Sequence, residues 1–336
     1  MDPLTIDFAI GKLYKNLPKD HVDALPRRAV ARMISDYTGL DCAAIKDRLK
    51  DIKKYRAQLA RLRAIPTMEQ RSPEWYAARQ NMLTASDTAQ ALGRGKFGTR
   101  AQLLQKKRDE RAGISAPFKM LPPLKWGIMF EEMAARCYQN VRDGVQIYEF
   151  GLIPDPQGLP YGASPDGITE LGIMIEIKCP YRRKIDGNIP EQYDIQMQGQ
   201  MYVCGLKECD YIECDMQVYQ SQEEFKRDVL MSNPSTFGII LEYPGDPPKY
   251  IYSPPLAIDD LYAWVAQNTP PYKTHFWRLR HMHIKRVYFD EAKFNAEYKD
   301  QIIKFWEDVC DPNAVAALAP SPRPKKKIYS FIEDSD

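Results

Sequence analysis

A short apolar strand that carries two charged residues constrains the fold of this chain more than any other stretch. The segment 173–178, IMIEIK, places Glu176 and Lys178 among isoleucine and methionine neighbours. Alternate residues of a strand share a face, so these two side chains point to one side of a sheet and Ile177 to the other. Burying an unpaired charge is costly, and a divalent cation removes that cost for a carboxylate. The segment therefore predicts a buried strand that ends at a charged site.

A turn of small residues precedes this strand. The sequence GASPDG at 162–167 contains Asp166, and its glycines and proline allow that carboxylate to approach Glu176. An aspartate followed by Glu-x-Lys on the next strand is the arrangement of a phosphodiesterase site that uses a hard metal ion. The same pattern also occurs by chance in many chains, so the rest of the sequence has to support the interpretation.

Composition narrows the class of protein. The chain has 336 residues, enough for one large domain or two, and its net charge is only +2, so a nucleic-acid surface must come from local clusters of basic residues. We expect an intracellular protein that is not secreted, because no signal peptide or membrane-spanning run is evident. Its seven cysteines are typical of reduced thiols, and Cys204, Cys209 and Cys214 lack the CxxC pair of a metal site.

The N-terminal region is predicted to be helical over residues 20–64. Asp41 is a suitable N-cap for a helix whose apolar residues recur at spacings of three and four. The opposite face of this helix is basic and comprises Lys46, Arg48, Lys50, Lys53, Lys54, Arg56, Arg61 and Arg63. Such a face is usually solvated, and contact with a DNA backbone is the second interpretation.

A predicted helix start lies near an arginine in the stretch 69–92. Thr84, Ser86 and Asp87 are candidate caps for a helix, and Arg79 precedes Ser86 by seven residues. A guanidinium beside a helix N-terminus suits a terminal phosphate. A routine helix cap with an ion-paired arginine is the alternative.

Two further stretches favour contact with a phosphate or a metal-bound water. The helix predicted from Trp126 should turn one of its adjacent glutamates, Glu131 and Glu132, inward. The helix predicted over 190–204 needs hydrogen-bond partners for its glutamines, of which Gln196 and Gln200 share one face and Gln198 lies on another.

The remaining segments give weaker indications of structure and function. Residues 93–100, GRGKFGTR, are expected to form a mobile basic loop without the P-loop pattern. The Pro-rich stretch 231–273 is expected to be irregular, and a strand at 283–289 precedes a helix from 290 to about 309. His281 and His283 share a strand face but lack a third ligand for zinc.

Five sequence blocks together resemble a known nuclease family. The blocks are WYAARQNMLTASD at 75–87, LKWGIMFE at 124–131, SPDG at 164–167, IEIKCP at 175–180 and QMQGQMYV at 196–203. On them the chain resembles the lambda exonuclease, or YqaJ-type viral recombinase, family of the PD-(D/E)xK nucleases. The resemblance implies an α/β fold with a restriction-endonuclease-like core, in which helices flank a central mixed β-sheet. We expect a nuclease domain at 66–310, and the helical extension at 1–65 and the Pro-rich insertion at about 222–275 depart from the compact phage form of the family. The stretch 311–336 is polar and Pro-rich, so we expect it to be a disordered basic and acidic tail.

The resemblance also implies catalytic and metal-binding residues. Asp166, Glu176 and the Ile177 carbonyl would bind Mg²⁺, and Glu131 would reach a second metal ion. Lys178 would orient and activate the attacking water. Gln198 matches a second glutamine near the catalytic centre.

Further positions match DNA contacts of that family. Arg79, Ser86, Ser164 and Gln196 correspond to a 5′-phosphate pocket. Leu124 corresponds to an apolar wedge that splits the duplex end, and Arg94 and Lys96 to a loop that follows a DNA groove.

The function implied by the resemblance is a Mg²⁺-dependent 5′→3′ exonuclease that acts on double-stranded DNA ends and leaves 3′ overhangs. It implies that two Mg²⁺ ions are bound and that Mn²⁺ can replace them. It also implies a role in recombination or genome processing for a virus or phage, in the host cytoplasm or nucleus and without membrane contact. The expected partners are a single-strand annealing protein and further copies of the chain in a trimer. The alternatives are a structure-specific or restriction-type endonuclease with the same core and a catalytically silent DNA-binding module. The intact set of Asp166, Glu176 and Lys178 argues against the silent module.

Overall fold

The structure is a computed structural model that describes residues 3–311 apart from 18, 67, 69, 71, 115–119, 246, 269 and 272. The tail expected at 311–336 lies outside this range except for Asp311. No helix among the described residues is both long and apolar enough to cross a membrane.

The N-terminal region is helical, as predicted, but its first helix begins earlier than the sequence indicated. Its helices are α1 (Pro3–Asn16), α2 (Lys19–Ala24), α3 (Arg27–Thr38) and α4 (Cys42–Arg63). Asp41 caps α4, because its carboxylate accepts hydrogen bonds from the backbone N–H groups of Ala43 and Ala44 at 3.4 and 2.8 Å. Helix α1, which lies before the predicted helical stretch, buries Ile10 in a shared core with α3 and α4.

Mostly short elements follow and bring the candidate site together. They are α5 (Pro73–Gln80), β1 (Leu83–Thr84), a 3₁₀ turn (Ala85–Asp87), α6 (Thr88–Ala91), α7 (Arg100–Arg111), α8 (Pro122–Val141), β2 (Ile147–Tyr148), β3 (Ile153–Pro154), β4 (Tyr161–Ala163), β5 (Gly167–Thr169), β6 (Met174–Lys178) and α9 (Glu191–Cys204). Helix α8 begins at Pro122 rather than near Trp126, because proline is well suited to the first turn of a helix.

The C-terminal third adds long strands and their covering helices. They are β7 (Glu208–Tyr219), α10 (Gln222–Val229), a 3₁₀ turn (Pro234–Thr236), β8 (Phe237–Tyr243), β9 (Lys249–Tyr252), α11 (Ile258–Ala266), β10 (Lys273–Tyr288), α12 (Glu291–Lys293), a π-helical turn (Phe294–Lys299) and α13 (Asp300–Cys310). The expectation of an irregular segment at 231–273 is therefore wrong. The apolar run FGIILEY pairs with β10 as a strand, and the prolines lie in its flanking turns.

The main sheet is mixed, with the strand order β2-β5-β6-β7-β10-β8-β9 among the described residues. Strands β6 and β7 run parallel and the other neighbouring strands run antiparallel. Helix α9 makes the crossover connection that two parallel strands need. A smaller sheet has the order β1-β4-β3.

Helices cover both faces of the main sheet. On one face, Met197 and Met201 of α9 pack with Met174 and Tyr211 of the central strands. On the other face, α8 packs against Ile177 and its neighbours. The expected α/β core, a central mixed sheet flanked by helices, is thereby confirmed.

A buried cluster of charges ties the N-terminal helices to the sheet. We call Asp7, Arg48, Glu208, Asp210 and Arg286 the arginine cluster. Arg48 contacts Asp7 at 2.6 Å and Glu208 at 2.5 Å, and Arg286 contacts Asp210 at 2.5 Å and Asp7 at 2.9 Å. Arg48 was expected on the solvated face of α4, and that expectation is wrong. Its position between apolar residues of the buried face would have shown this.

Candidate active site

The SPDG turn and strand β6 bring the predicted catalytic groups to one point. Asp166 immediately precedes β5, and its carboxylate accepts a hydrogen bond from the Ile177 N–H at 2.6 Å. Glu176 is fully buried on β6, and the Lys178 ammonium, two residues further on the same face, donates a hydrogen bond to it. The antiparallel pairing of β5 with β6 explains this convergence, because it returns the strand alongside the turn that holds Asp166.

Two glutamines of α9 complete the surroundings of Glu176. The side-chain amides of Gln196 and Gln200 donate to its two carboxylate oxygens at 2.7 and 2.8 Å. These residues are one helical turn apart and therefore share a face. The partner of these glutamines is therefore Glu176, and not the phosphate or metal-bound water that the sequence predicted.

The carboxylates of the site repel one another. The pKa of Asp166 is raised well above its usual range, first by burial and then by the neighbouring charges of Glu176 and Glu131. Glu131 of α8 is thus the inward-facing glutamate of its pair. Glu132 is exposed and forms an ion pair with Arg136 one turn away.

Lys178 is the cation that these carboxylates surround. Burial lowers its pKa, but Glu176 and Asp166 raise it by more, so the net pKa lies above the usual lysine range. Its ammonium also lies 4.8 Å from the centre of the Tyr193 ring. A lysine held in its charged form can orient a nucleophile or neutralise a phosphate, but it has no free electron pair to accept a proton.

The donor atoms suit a hard metal ion, although the side chains are not arranged as a metal-binding cluster. Asp166, Glu176 and Glu131 offer carboxylate oxygens, which Mg²⁺ prefers, and a cation would remove the repulsion that raises the pKa of Asp166. Among the described residues, no group of three or more histidine, cysteine, aspartate or glutamate side chains is placed to hold a metal. Lys178 and the two glutamines occupy both oxygens of Glu176, so metal binding would have to displace some of these contacts.

Residues predicted to hold a terminal phosphate gather on the other side of the SPDG turn. Arg79 donates to the hydroxyls of Thr84 and Ser86 at 3.3 and 3.4 Å and stacks 4.2 Å from the centre of the Trp75 ring. The Trp75 indole N–H donates to the Ser164 hydroxyl at 3.1 Å. Arg79 is thus linked directly to Ser86 and through Trp75 to Ser164, which lies two residues before Asp166. Gln196, which was predicted for the same pocket, contacts Glu176 instead.

The arginine of this group lacks a directly paired anion. Burial lowers the pKa of Arg79, and the charges of Asp87 and Glu110 oppose that shift only in part. Among the described residues Arg79 forms no ion pair.

The expectation that Thr84 and Asp87 cap the following helix is wrong, because Thr84 donates to the Asp87 carboxylate and neither side chain caps the first turn.

A glycine sets the position of α9 above the site. A Cβ atom at Gly199 would lie 2.0 Å from the Tyr161 hydroxyl and 3.3 Å from the Ala85 Cβ. Tyr161 is fully buried, and its hydroxyl forms a 2.8 Å hydrogen bond with Thr88. The close approach at Gly199 lets Gln196 and Gln200 reach Glu176.

Other predicted residues lie apart from this centre. The Gln198 amide donates to the Tyr288 carbonyl at 3.0 Å and accepts from the Asp290 N–H at 2.9 Å, so it joins α9 to the end of β10. Leu124 lies in the first turn of α8 with 44% of its surface exposed. Gln200, rather than Gln198, is the second glutamine at the catalytic carboxylate.

The loop at 93–100 is anchored at several points. Arg94 contacts Glu297 at 3.2 Å and Glu191 at 3.5 Å. Gln90 donates to the Thr99 carbonyl at 2.9 Å. Lys96 is exposed, so of the two basic residues predicted to contact a DNA groove it is the one that forms no ion pair among the described residues.

Sequence reasoning missed polar residues on the neighbouring strands. Glu213 of β7 is fully buried beside Lys178 and accepts hydrogen bonds from Arg183 and from the Tyr211 hydroxyl. The alternation of Tyr211 and Glu213 along β7 matches that of Glu176 and Lys178 on β6. This shared alternation in the sequence could have identified Glu213 as a residue on the same face as Glu176 and Lys178.

The chain matches a family of viral enzymes over the segment that holds the site. Residues 74–207 match the YqaJ-like viral recombinase domain. The expected family resemblance is confirmed. The YqaJ-like segment contains Arg79, Glu131, Asp166, Glu176 and Lys178.

Similar proteins include one from a giant virus and two bacterial proteins of known structure. The chain is 31% identical over 196 residues to an uncharacterized protein of Acanthamoeba polyphaga mimivirus, covering 53% of this chain and 34% of that protein, about a third of its length. The alkaline exonuclease LHK-Exo from Laribacter hongkongensis is similar with a TM-score of 0.47 and 22% identity, covering 74% of this chain and 96% of that one. A phage-related exonuclease from Haemophilus somnus gives a TM-score of 0.40 and 13% identity, covering 68% and 95%.

Proposed function

We propose that this chain is a Mg²⁺-dependent exonuclease that degrades double-stranded DNA from its ends in the 5′→3′ direction and leaves 3′ overhangs. The observation that carries the proposal is the meeting of Asp166, Glu176 and Lys178 at one point, with Glu131 turned towards them. The match to a YqaJ-like viral recombinase domain supports a nuclease role.

The proposed chemistry is hydrolysis of a phosphodiester bond. Mg²⁺, as two ions or with Mn²⁺ in its place, would be held by Asp166, Glu176, the Ile177 carbonyl and Glu131, and would supply Lewis acidity at the scissile phosphate. Lys178 keeps its proton, so we assign it to orienting the attacking water and to neutralising charge on the phosphate. Electrostatic stabilisation by such a fixed charge is strong in a buried site.

The proposed direction rests on the group around Arg79. A terminal phosphate monoester carries more charge than an internal diester, so a half-buried guanidinium that forms no ion pair with a described residue favours a strand end. Ser86 and Ser164 add hydroxyl groups, and Ser164 lies two residues before Asp166. A 5′-phosphate held there would place the adjacent nucleotide next to the catalytic carboxylates.

The exposed residues suggest how a duplex end is received. Leu124 at the start of α8 would separate the strands, and Lys96 would contact the phosphate backbone. We propose that residues 1–65 form an extension of a nuclease domain at 66–310. A single-strand annealing partner, assembly as a trimer, and action in the host cytoplasm or nucleus during viral recombination or genome processing belong to the same proposal.

Digestion of end-labelled linear duplexes tests the proposal. Substrates with a 5′-phosphate or a 5′-hydroxyl are incubated with Mg²⁺ or with EDTA, and a covalently closed circle serves as the control. We expect Mg²⁺-dependent release of the 5′ label, faster from phosphorylated ends, and an intact circle. Cutting of the circle would instead identify an endonuclease, and binding without cleavage would identify a silent DNA-binding module.

A further inference from the structure

An open stretch of the main sheet extends away from the catalytic lysine. Strand β6 ends at Lys178, whereas its neighbour β7 continues to Tyr219. Paired residues on neighbouring strands share a face, so Lys178, Glu213 and His283 form a row on the face that carries the catalytic residues. Helix α9 covers this face near Tyr211, and α10 covers it near Tyr219. Between these two, no helix of the described chain covers this face, and the sheet there forms the floor of a groove, which we call the groove floor.

Basic residues line this groove from two elements. On β10 they are Arg280, His281, His283 and Lys285, and on the segment after β6 they are Arg182 and Lys184. We call these six residues the basic platform. Lys285 donates to the Gly187 carbonyl at 3.4 Å, and a Cβ atom at Gly187 would lie 3.7 Å from the His283 ring. The two elements therefore form one continuous surface.

The platform carries a surplus of positive charge. Arg182, Lys184, Arg280 and Lys285 form no ion pair with a described residue. The nearby carboxylates of Glu213 and Asp228 are already paired with Arg183 and Arg278. The remaining ones, Asp186, Asp215 and Glu224, balance only part of the charge, because Arg227 adds a further cation beside Glu224. Next to Arg280 a cavity of about 280 Å³ opens at the α10 end of the groove. A polyanion is the ligand that such a surface suits.

An exposed aromatic ring connects the platform with the start of α8. Tyr181 is 40% exposed; its ring centre lies 5.4 Å from that of Trp126 on α8 and 5.3 Å from the Arg182 guanidinium. Basic side chains beside an exposed aromatic ring are typical of surfaces that bind single-stranded nucleic acid. Leu124 lies in the first turn of α8, two residues before Trp126.

We propose that the basic platform binds the strand that is not cut, as single-stranded DNA with a 3′ end, after the duplex opens at α8. Tyr181 stacks on its first unpaired base, and the platform carries its phosphates along β10 away from Lys178. This inference rests on the proposed nuclease function, because it assigns the surface to one of the two strands of a DNA end.

Binding measurements on the full chain test the platform. Fluorescence anisotropy in EDTA compares a blunt duplex of about 20 base pairs with the same duplex carrying a 3′ or a 5′ overhang of about 12 thymidines. The test variant combines Lys184→Gln, Arg280→Gln and Lys285→Gln. The matched control combines Lys106→Gln, Lys249→Gln and Lys304→Gln, which are exposed lysines on other elements.

We expect the 3′ overhang to improve the affinity of the wild-type chain by about tenfold or more, and the test variant to lose this gain. The salt dependence should also weaken, with a log–log slope smaller by about 2, because each single-strand phosphate contact contributes about 0.7. Tyr181→Ala should weaken binding of the 3′ overhang by about fivefold or more, whereas Tyr181→Phe should retain it.

Three results would overturn the proposal: an unchanged overhang gain in the test variant, an equal loss in the control variant, or an equal gain from a 5′ overhang. The assay contains no divalent metal and so does not depend on cleavage. A chain that gains affinity from the 3′ overhang but cuts no DNA would refute the nuclease proposal and leave the platform in place. A chain that cuts ends without this gain would refute the platform alone.

Discussion

Two buried groups of charged residues in this protein differ in how far cations balance their three carboxylates. In the arginine cluster, Arg48 and Arg286 together contact all three carboxylates. Burial raises the pKa of Glu208, but the hydrogen bond from Arg48 and the charges of Arg286 and Arg48 outweigh burial and lower it. At the candidate active site the carboxylates outnumber the single lysine, and the pKa of Asp166 is raised. The difference suits a structural role for the first group and the proposed binding of a cation by the second. Perturbed pKa values of that second kind are typical of functional sites.

The largest expected effect is on cleavage and concerns Asp166. Asp166→Asn removes one of the charges that would hold the metal, so we expect cleavage of labelled duplex to fall by about 10²–10³-fold or more. The protein should remain folded, because the substitution also removes a repulsive charge. Glu132→Gln, an exposed neighbour of Glu131, is the control and should keep its activity. Near-normal cleavage by Asp166→Asn would show that the two charge groups do not differ in function.

A substitution in the arginine cluster should lower stability and leave cleavage unchanged, the opposite of the result expected for Asp166. Arg48→Ala leaves Asp7 and Glu208 with only Arg286 as a buried cation, so we expect the free energy of unfolding to fall by about 3–5 kcal/mol. Denaturant unfolding measures this change, and the activity of the molecules that remain folded should be unaffected. Lys50→Ala on the exposed face of the same helix should change stability by less than about 0.5 kcal/mol. Equal effects of both substitutions would contradict the structural role of the cluster.

A smaller effect is expected at Arg79, which forms no ion pair with a residue that the structure describes. A charge-assisted hydrogen bond contributes about 1.5–3 kcal/mol, so Arg79→Ala should slow digestion of 5′-phosphorylated ends by roughly ten- to a hundredfold. Digestion of 5′-hydroxyl ends should change little, and Arg79→Lys should retain part of the preference. If the wild-type chain used both ends equally, the phosphate pocket would not exist.

The smallest effect is the pH dependence of stability in EDTA, which should have opposite signs for the two groups. The raised pKa of Asp166 means that the folded chain binds more protons than the unfolded chain, so its contribution to stability falls as the pH rises from 3.8 through the folded pKa. The lowered pKa of Glu208 stabilises the fold above 4.5 and is lost as the pH falls through the folded value.

Thermal unfolding at about pH 8 and about pH 5 measures this difference. Asp166→Asn should be more stable than the wild type at the higher pH, and the gap should narrow at the lower one. Glu208→Gln should be less stable than the wild type at neutral pH. Parallel pH profiles for the two variants would show that their carboxylates share one environment.

The sequence predicted the catalytic strand well because its evidence is local. Period-two alternation placed Glu176 and Lys178 on one face, and helical spacing placed Gln196 and Gln200 together and Gln198 apart. Helical spacing also places Arg48 beside the buried Ile45 and Ile52 of α4, but its partner Glu208 lies 160 residues away, so local spacing could not identify the ion pair.

Local sequence patterns also failed to predict the C-terminal strands. The prolines of 231–273 suggested an irregular segment, but β8 pairs with β10, which begins ten residues before the predicted strand at 283. Pairing between distant strands depends on the whole sheet. The groove floor between α9 and α10 likewise follows from strand register, which no short pattern in the sequence specifies.

The close packing at Gly199 limits which residues this position can accept. Even one added carbon atom at this position would collide with a buried tyrosine hydroxyl. An alanine would have to move the helix outward, and Gln196 and Gln200 would then draw back from Glu176. The reach of two amide groups is thus governed by a residue that touches neither metal nor DNA. The geometry of the candidate active site depends on the distance between a helix and a strand, so a substitution that makes no contact with Glu176 can disrupt it.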